Sequence, residues 1–258
     1  MSFFNQLLAS IGIGSAKVDT RLKGGPVRAG EKLEGVVLIQ GGSTEQHIDN
    51  IYLHLMTQYT REQNDRRVTV NTAVTKWQLS SAFTIHAGES KQVPFAFTLP
   101  LNTPVSTSRT PVWLQTGLDI ALAVDPGDND RLQVLPHPHV QAVLDAVTSM
   151  GFQSKAVTSE YTLRFGGGLP FVQEFEFYPS SSFRGSVKEL ELVFSVEPEG
   201  VEVIVEVDRR ARGFVGLFEQ ALELDERKQR ARFSKQELRM GSRHIAEQLT
   251  RIIEHHAR

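Results

Sequence analysis

Apolar and polar residues alternate with period two through most of the first half of the chain. Four segments carry the pattern: residues 32–40 (KLEGVVLIQ), 48–59 (IDNIYLHLMTQY), 68–79 and 81–86. Each is rich in β-branched or aromatic residues and bounded by turn chemistry: Gly24-Gly25-Pro26, Gly41-Gly42-Ser43, Asn64-Asp65 and Ala87-Gly88. In QVPFAFTL (residues 92–99), Val93, Phe95, Phe97 and Leu99 share one face while Pro94 takes the other, which marks an edge strand or a bulge. Strands at short intervals with no helical pattern between them predict an antiparallel sandwich rather than a parallel α/β sheet.

The period changes at both termini and near the middle. Phe3, Phe4, Leu7, Leu8 and Ile11 fall at helical spacing behind Ser2, predicting a short amphipathic helix over residues 1–15. Its apolar face packs on the body of the protein or makes a weak membrane or partner contact, since so short an uncharged helix binds lipid poorly. Val140, Val143, Leu144 and Val147 predict a second helix, ending at Gly151. Strands resume over residues 159–165, 170–178, 189–196 and 201–207, the last two joined by the turn Glu197-Pro198-Glu199-Gly200. Residues 214–231 read as loosely helical. Ser234-Lys235-Gln236-Glu237 matches a capping box, and Ser242 is placed to cap a last helix carrying Ile245, Leu249, Ile252 and Ile253. The resulting organisation is a helix (1–15), a first sandwich (16–130), a linker (131–139), a second sandwich with a leading helix (140–213) and a helical tail (214–258).

Composition narrows the function. A net charge of −2 gives no basic footprint for nucleic acid. The 40% hydrophobic and 22% charged residues belong to an ordinary globular protein, and no apolar run is long enough to span a bilayer. There is no cysteine, so thiol nucleophiles, disulfides and Cys-ligated metals are excluded. The N-terminus lacks the basic residues and cleavage pattern of a secretory signal, so a cytoplasmic location is expected.

The stretch DPGDNDRLQVLPHPHV (residues 125–140) concentrates metal-type ligands. Counted as a calcium loop from Asp125, its twelfth position is Pro136 where a bidentate acid is needed, so Asp128, Asn129 and Asp130 read as a surface turn. His137 and His139 lack a third ligand nearby and do not complete a zinc site. A metal-dependent hydrolase or sugar-binding sandwich using His137, His139 and nearby acids stays as the alternative reading. Glu174, Glu176, Glu189, Glu191, Glu202 and Glu206 alternate along strands and read as a solvated sheet face. No nucleophile elbow, Walker loop or dinucleotide fingerprint is present, so no catalytic residue and no cofactor is assigned. The remaining polar feature is Asp208-Arg209-Arg210-Ala211-Arg212, at a strand end. Its guanidiniums suit bidentate pairing with carboxylates, in a domain-bridging or partner-facing cluster with Asp119 or Asp125 as candidate acids.

Several of these runs, SFFNQLLASIGIGSAKVDT, QVPFAFTLPLNTP, VWLQTGLDIALAVDPGDND, PFVQEFEFYP and EVDRRARG, together resemble the bacterial SpoOM family of sporulation-control proteins over residues 1–213. The resemblance implies a mainly β protein of two tandem arrestin-like antiparallel β-sandwich domains with short terminal helices. It further implies a non-enzymatic adaptor or scaffold with protein partners, cell-division or cytoskeletal components among them.

Overall fold

The computed structural model describes residues 14–120, 125–163, 165–208 and 228–257. The chain divides into two compact units: one made of residues 1–57, 71–106 and 111–135, the other of residues 58–70, 107–110 and 136–258. Residues 1–13 of the helix expected over residues 1–15 and the segment 214–227 lie outside the described residues, while Gly14 and Ser15 are described and are not helical.

The first unit holds strands β1 (Lys17–Lys23), β2 (Val27–Arg28), β3 (Lys32–Gln40), β6 (Phe83–Ile85), β7 (Ser90–Thr98), β8 (Val112–Ile120), β9 (Gly127–Leu132) and β10 (Val134–Leu135), together with the parts of β4 (Gln46–Gln63) and β5 (Arg66–Gln78) outside residues 58–70, which belong to the second unit. One sheet has the order β1-β3-β7, antiparallel throughout. In the other, β4 pairs with β5, β6 and β8, and β8 with β9. Alternation decides which residues point inward: Leu33, Val37 and Ile39 of β3, Ile51, Leu53 and Leu55 of β4, and Leu114 and Leu118 of β8 form one buried core with Phe95 of β7. A two-residue turn joins β4 to β5, with Asn64 and Asp65 both at positive φ (52° and 57°), the backbone that a tight hairpin demands. Gly35 of β3 is forced by packing instead, because a Cβ there would lie 2.6 Å from the Arg21 carbonyl oxygen and from the Phe95 ring.

The stretch expected to be a surface turn is a strand. Gly127 through Leu132 pair residue by residue with Gly117 through Val112, so the acids of DPGDND alternate along β9 instead of folding back on themselves. The strand needs no strongly apolar sequence because β8 supplies a complete ladder of backbone partners. Asp128 is used locally, its Oδ2 accepting the Thr20 backbone N–H of β1 at 2.8 Å.

The second unit contains α1 (Pro138–Ser149), β11 (Phe152–Tyr161), β12 (Phe171–Pro179), β13 (Glu189–Glu197), β14 (Gly200–Asp208), β15 (Lys228–Ser234), α2 (Lys235–Arg239) and α3 (Ser242–Ala257). The five strands run β11-β12-β13-β14-β15, all antiparallel neighbours. Thr60, near the end of β4, pairs in parallel with Glu160 of β11, and Tyr59 stacks on Tyr161 and Phe171. The helices lie against the sheet, α1 on β11, β13 and β14, α3 on β14 and β15. Val143 and Val147 of α1, Ile245, Leu249 and Ile253 of α3, and Leu190, Leu192, Val203 and Val205 of the sheet are all fully buried.

Three details of this unit depart from the sequence expectation. The strand expected at residues 159–165 is β11, running from Phe152 to Tyr161, and a register shift between Ser154 and Ala156 breaks the alternation that would have announced its first half. The end of the segment expected to be helical belongs to β15, where Ala231 and Phe233 are buried between exposed Arg230 and Arg232. The capping box is formed: Ser234 Oγ accepts from the Glu237 N–H and Glu237 Oε2 accepts from the Ser234 N–H at 2.9 Å. Ser242 is the first helical residue of α3 rather than its cap.

Candidate functional site

The register of the second sheet gathers charge on the face opposite Leu190, Leu192, Val203 and Val205. Glu176 of β12 is directly paired with Glu191 of β13, and Glu191 with Glu206 of β14, so three carboxylates stand in a row across adjacent strands. Like charges directly opposite in a sheet are destabilising unless something compensates. Glu174 follows two residues away on β12, facing Val193 and Thr158, and Glu160 lies beyond it on β11.

Alternation predicted a solvated face here, and the structure overturns that expectation for three of the acids. Glu174, Glu176 and Glu206 are buried, with Glu174 at 8% and Glu176 at 2% exposure. A period-two pattern says only that two faces differ, not that the polar one is wet. Beside them Val172, Val193 and Ile204 form a small apolar cluster with Phe165 packed on it.

Cations reach the carboxylates from the rim. Lys155, projected by the irregular turn of β11, places Nζ 3.1 Å from Glu176 Oε2 and 2.5 Å from Glu189 Oε1. Arg67 of β5 donates to Glu160, and Arg232 donates through Nε and Nη2 to Glu202 Oε2 at 3.0 and 2.8 Å. Burial pulls the Lys155 ammonium down, but its hydrogen bonds and attraction to Glu189 and Glu176 outweigh that and raise it. Burial raises the Glu176 carboxyl despite Lys155, and that of Glu160 despite Arg67. Among the described residues no cation lowers Glu174 in the same way. Burial, reinforced by Glu191, Glu160, Glu176 and Glu206, holds it well above the ordinary carboxylate range, and its Oε1 has no hydrogen-bond partner among the described residues. Its proton is therefore held more tightly than that of an ordinary exposed glutamate.

A second pair of acids lies on β9 in the first unit. Asp130 is pushed up to about 6, by burial first and then by Asp128, which shares a hydrogen bond with it, and by Asp19. Among the described residues no group of three or more His, Asp or Glu side chains has the arrangement to hold a metal ion.

The sequence-selected residues belong to different elements. Asp208 ends β14, its carbonyl accepting from the Lys188 N–H at 2.8 Å; Arg209, Arg210 and Arg212 lie outside the described residues. Asp119 sits on β8 opposite Asn50, and Asp125 Oδ1 accepts the Ile120 N–H at 3.0 Å. Phe3, Phe4, Leu7, Leu8 and Ile11 also lie outside the described residues. His137 is the N-cap of α1, its Nδ1 accepting from the His139 N–H at 3.1 Å, and the two rings meet edge to face with centroids 4.5 Å apart. His139 Nδ1 lies 3.0 Å from the Gly200 carbonyl oxygen, so the pair serves a helix start and a strand junction. Sequence reasoning missed Lys155 and the carboxylate row. The signal that would have found the row is the strand register, not the alternation.

The strand order and the sandwich core of the first unit define the class: a mainly β protein of arrestin-like β-sandwich fold. A family model described as SpoOM protein matches residues 4–211, and the chain belongs to that family. The chain is 41% identical over 258 residues, covering 100% of both sequences, to the sporulation-control protein spo0M of Bacillus subtilis. The crystal structure of Spo0M from Bacillus subtilis superposes with a TM-score of 0.86 at 38% identity, covering 94% of this chain and 99% of the other. Among the described residues no helix is long and apolar enough to cross a membrane.

Proposed function

We propose that this protein is a non-catalytic regulatory adaptor of the sporulation-control type, acting in the cytoplasm through protein–protein contacts. The observation that carries the reading is the unbroken 41% identity over the whole chain to a protein named for sporulation control. The chemistry of the described residues supports it. Their clustered acids are raised in pKa by burial and by neighbouring carboxylates, and the hydroxyls that meet a base serve local structure, as Ser234 does at Glu237 in the capping box of α2.

The test is mild crosslinking in the native cell followed by recovery of the tagged full chain and identification of what comes with it. Reproducible protein partners whose loss accompanies a developmental or division defect on deletion support the adaptor. Recovery of the chain alone, or a deletion without phenotype in those processes, removes this reading.

A further inference from the structure

The sheet edges of this protein are unequally protected. The outer edge of β7 carries Pro94, which has no N–H to offer an incoming strand. The edge strand β15 carries the exposed cations Arg230 and Arg232, and β1 and β9 engage each other through the Thr20 N–H and Asp128. Strand β5 keeps its exposed cations, Arg66, Arg67 and Lys76, at its two ends and leaves its middle without any of these devices. It is 13 residues long, contains no proline, and among the described residues pairs only with β4. From Val68 to Thr75 it has no charged residue, and six of these eight residues are β-branched. None of the 13 is buried. Such an edge is a ready template for another strand.

Charge at the two ends of the uncharged run selects the partner. Arg66 at one end and Lys76 at the other are exposed, and neither has a carboxylate partner among the described residues; Lys76 instead sits 3.8 Å above the Tyr52 ring. An antiparallel second copy would bring the Arg66 end of one strand toward the Lys76 end of the other, setting cation near cation at both ends of the pairing. We propose that the outer edge of β5 receives an extended segment of another protein, apolar or β-branched in its middle and acidic at both flanks, by strand addition. The proposal rests on the adaptor reading and names the surface and partner chemistry that would serve it.

Two fluorescein-labelled synthetic probes test it on the full chain. One is Glu-Glu-Val-Thr-Val-Thr-Val-Glu-Glu and the other carries lysines in place of the glutamates, both N-methylated at alternate residues so that each presents a single hydrogen-bonding edge. Polarisation at low salt is expected to show about tenfold tighter binding of the acidic probe, the combined effect of a few exposed charge pairs. Amide exchange is expected to slow over residues 66–78 when that probe is bound. The double variant R66E/K76E, checked by circular dichroism for an unchanged fold, is expected to reverse the preference. Equal binding of both probes, or no protection of residues 66–78, overturns the proposal. So does protection of those residues without probe that grows with protein concentration, since the occupant is then a second copy. If the acidic probe binds as described but crosslinking in the cell recovers no partner, the adaptor reading fails while the edge preference stands.

Discussion

Replacing Glu174 by glutamine removes one titrating proton from the middle of the second sheet while keeping the side-chain shape. Glu174 is 8% exposed, and its folded-state pKa is raised by burial and by four neighbouring carboxylates, Glu191, Glu160, Glu176 and Glu206. A raised acid binds its proton more tightly in the folded chain than in the unfolded one, so unfolding releases a proton in the interval between the two pKa values. Stability contributed by the neutral acid is therefore present at low pH. It falls as pH rises above the ordinary glutamate range, and falls no further once the folded pKa is passed. One linked proton gives a slope of at most about 1.4 kcal/mol per pH unit. Glu174→Gln is expected to match the wild type near pH 4 and to gain on it at up to that slope as pH rises, reaching a plateau. Urea unfolding at stepped pH provides the readout, with two probes that separate the units. Both tryptophans, Trp77 and Trp113, lie in the first unit, whereas every described helix lies in the second. The far-ultraviolet helix signal should carry the difference and the tryptophan signal should not. A variant less stable than wild type at pH 7, or a gain that does not vary with pH, would show that Glu174 is held ionised by a cation and refute the reasoning.

Other substitutions probe the packing and the acids separately. Leu249→Ala in α3, at a position with 0% exposure, is expected to cost about 2–5 kcal/mol in denaturant titrations followed through the helix signal. Ser234→Ala removes the capping box and should cost about 1 kcal/mol, with faster amide exchange in α2; unchanged exchange there would show the cap to be idle. Gly35→Ala drives a methyl group against the Arg21 carbonyl and Phe95 and is expected to lower stability by about 1–3 kcal/mol, read by the tryptophan signal. Asp130→Asn removes a carboxyl that titrates at about 6. The wild type should lose stability relative to it as pH rises from about 4 to 6, because the protonated form is favoured in the folded chain; parallel pH profiles would contradict that assignment.

Much of the first unit was legible because its strands have one face in a core and one in water, so alternation and turn residues together mark both strand and orientation. Residues 92–99 are the plainest case, with Phe95 buried and Pro94 on the outside as the pattern required. The misreadings have identifiable causes. In β9 the run Asp128-Asn129-Asp130 has turn-forming side chains, yet β8 offers it a full ladder, and tertiary pairing outweighed local propensity. In β11 the irregularity at Ser154 and Ala156 shifts the phase of the pattern. Residues 230–233 do alternate, Arg-Ala-Arg-Phe, but the stretch is too short to stand out from the polar residues before it. The candidate site was the least legible part. Whether Glu176, Glu191 and Glu206 stand side by side depends on how three strands are registered, and whether they are wet depends on what covers them; neither is a property of local sequence.

The units are not successive stretches of the chain, and this decides how the molecule can be dissected. Strand β4 begins in one unit and ends in the other, and the hairpin tip of residues 58–70 belongs, with residues 107–110, to the unit that is otherwise made of residues 136–258. A fragment expressed from residue 136 onward would leave behind Tyr59, which stacks on both Tyr161 and Phe171, and Arg67, the partner of Glu160. A clone of residues 1–135 would carry that tip with nothing to pack on. Gene truncation at the apparent boundary therefore yields two incomplete products. A permuted or spliced gene that returns residues 58–70 and 107–110 to their own unit is the route to studying either one alone.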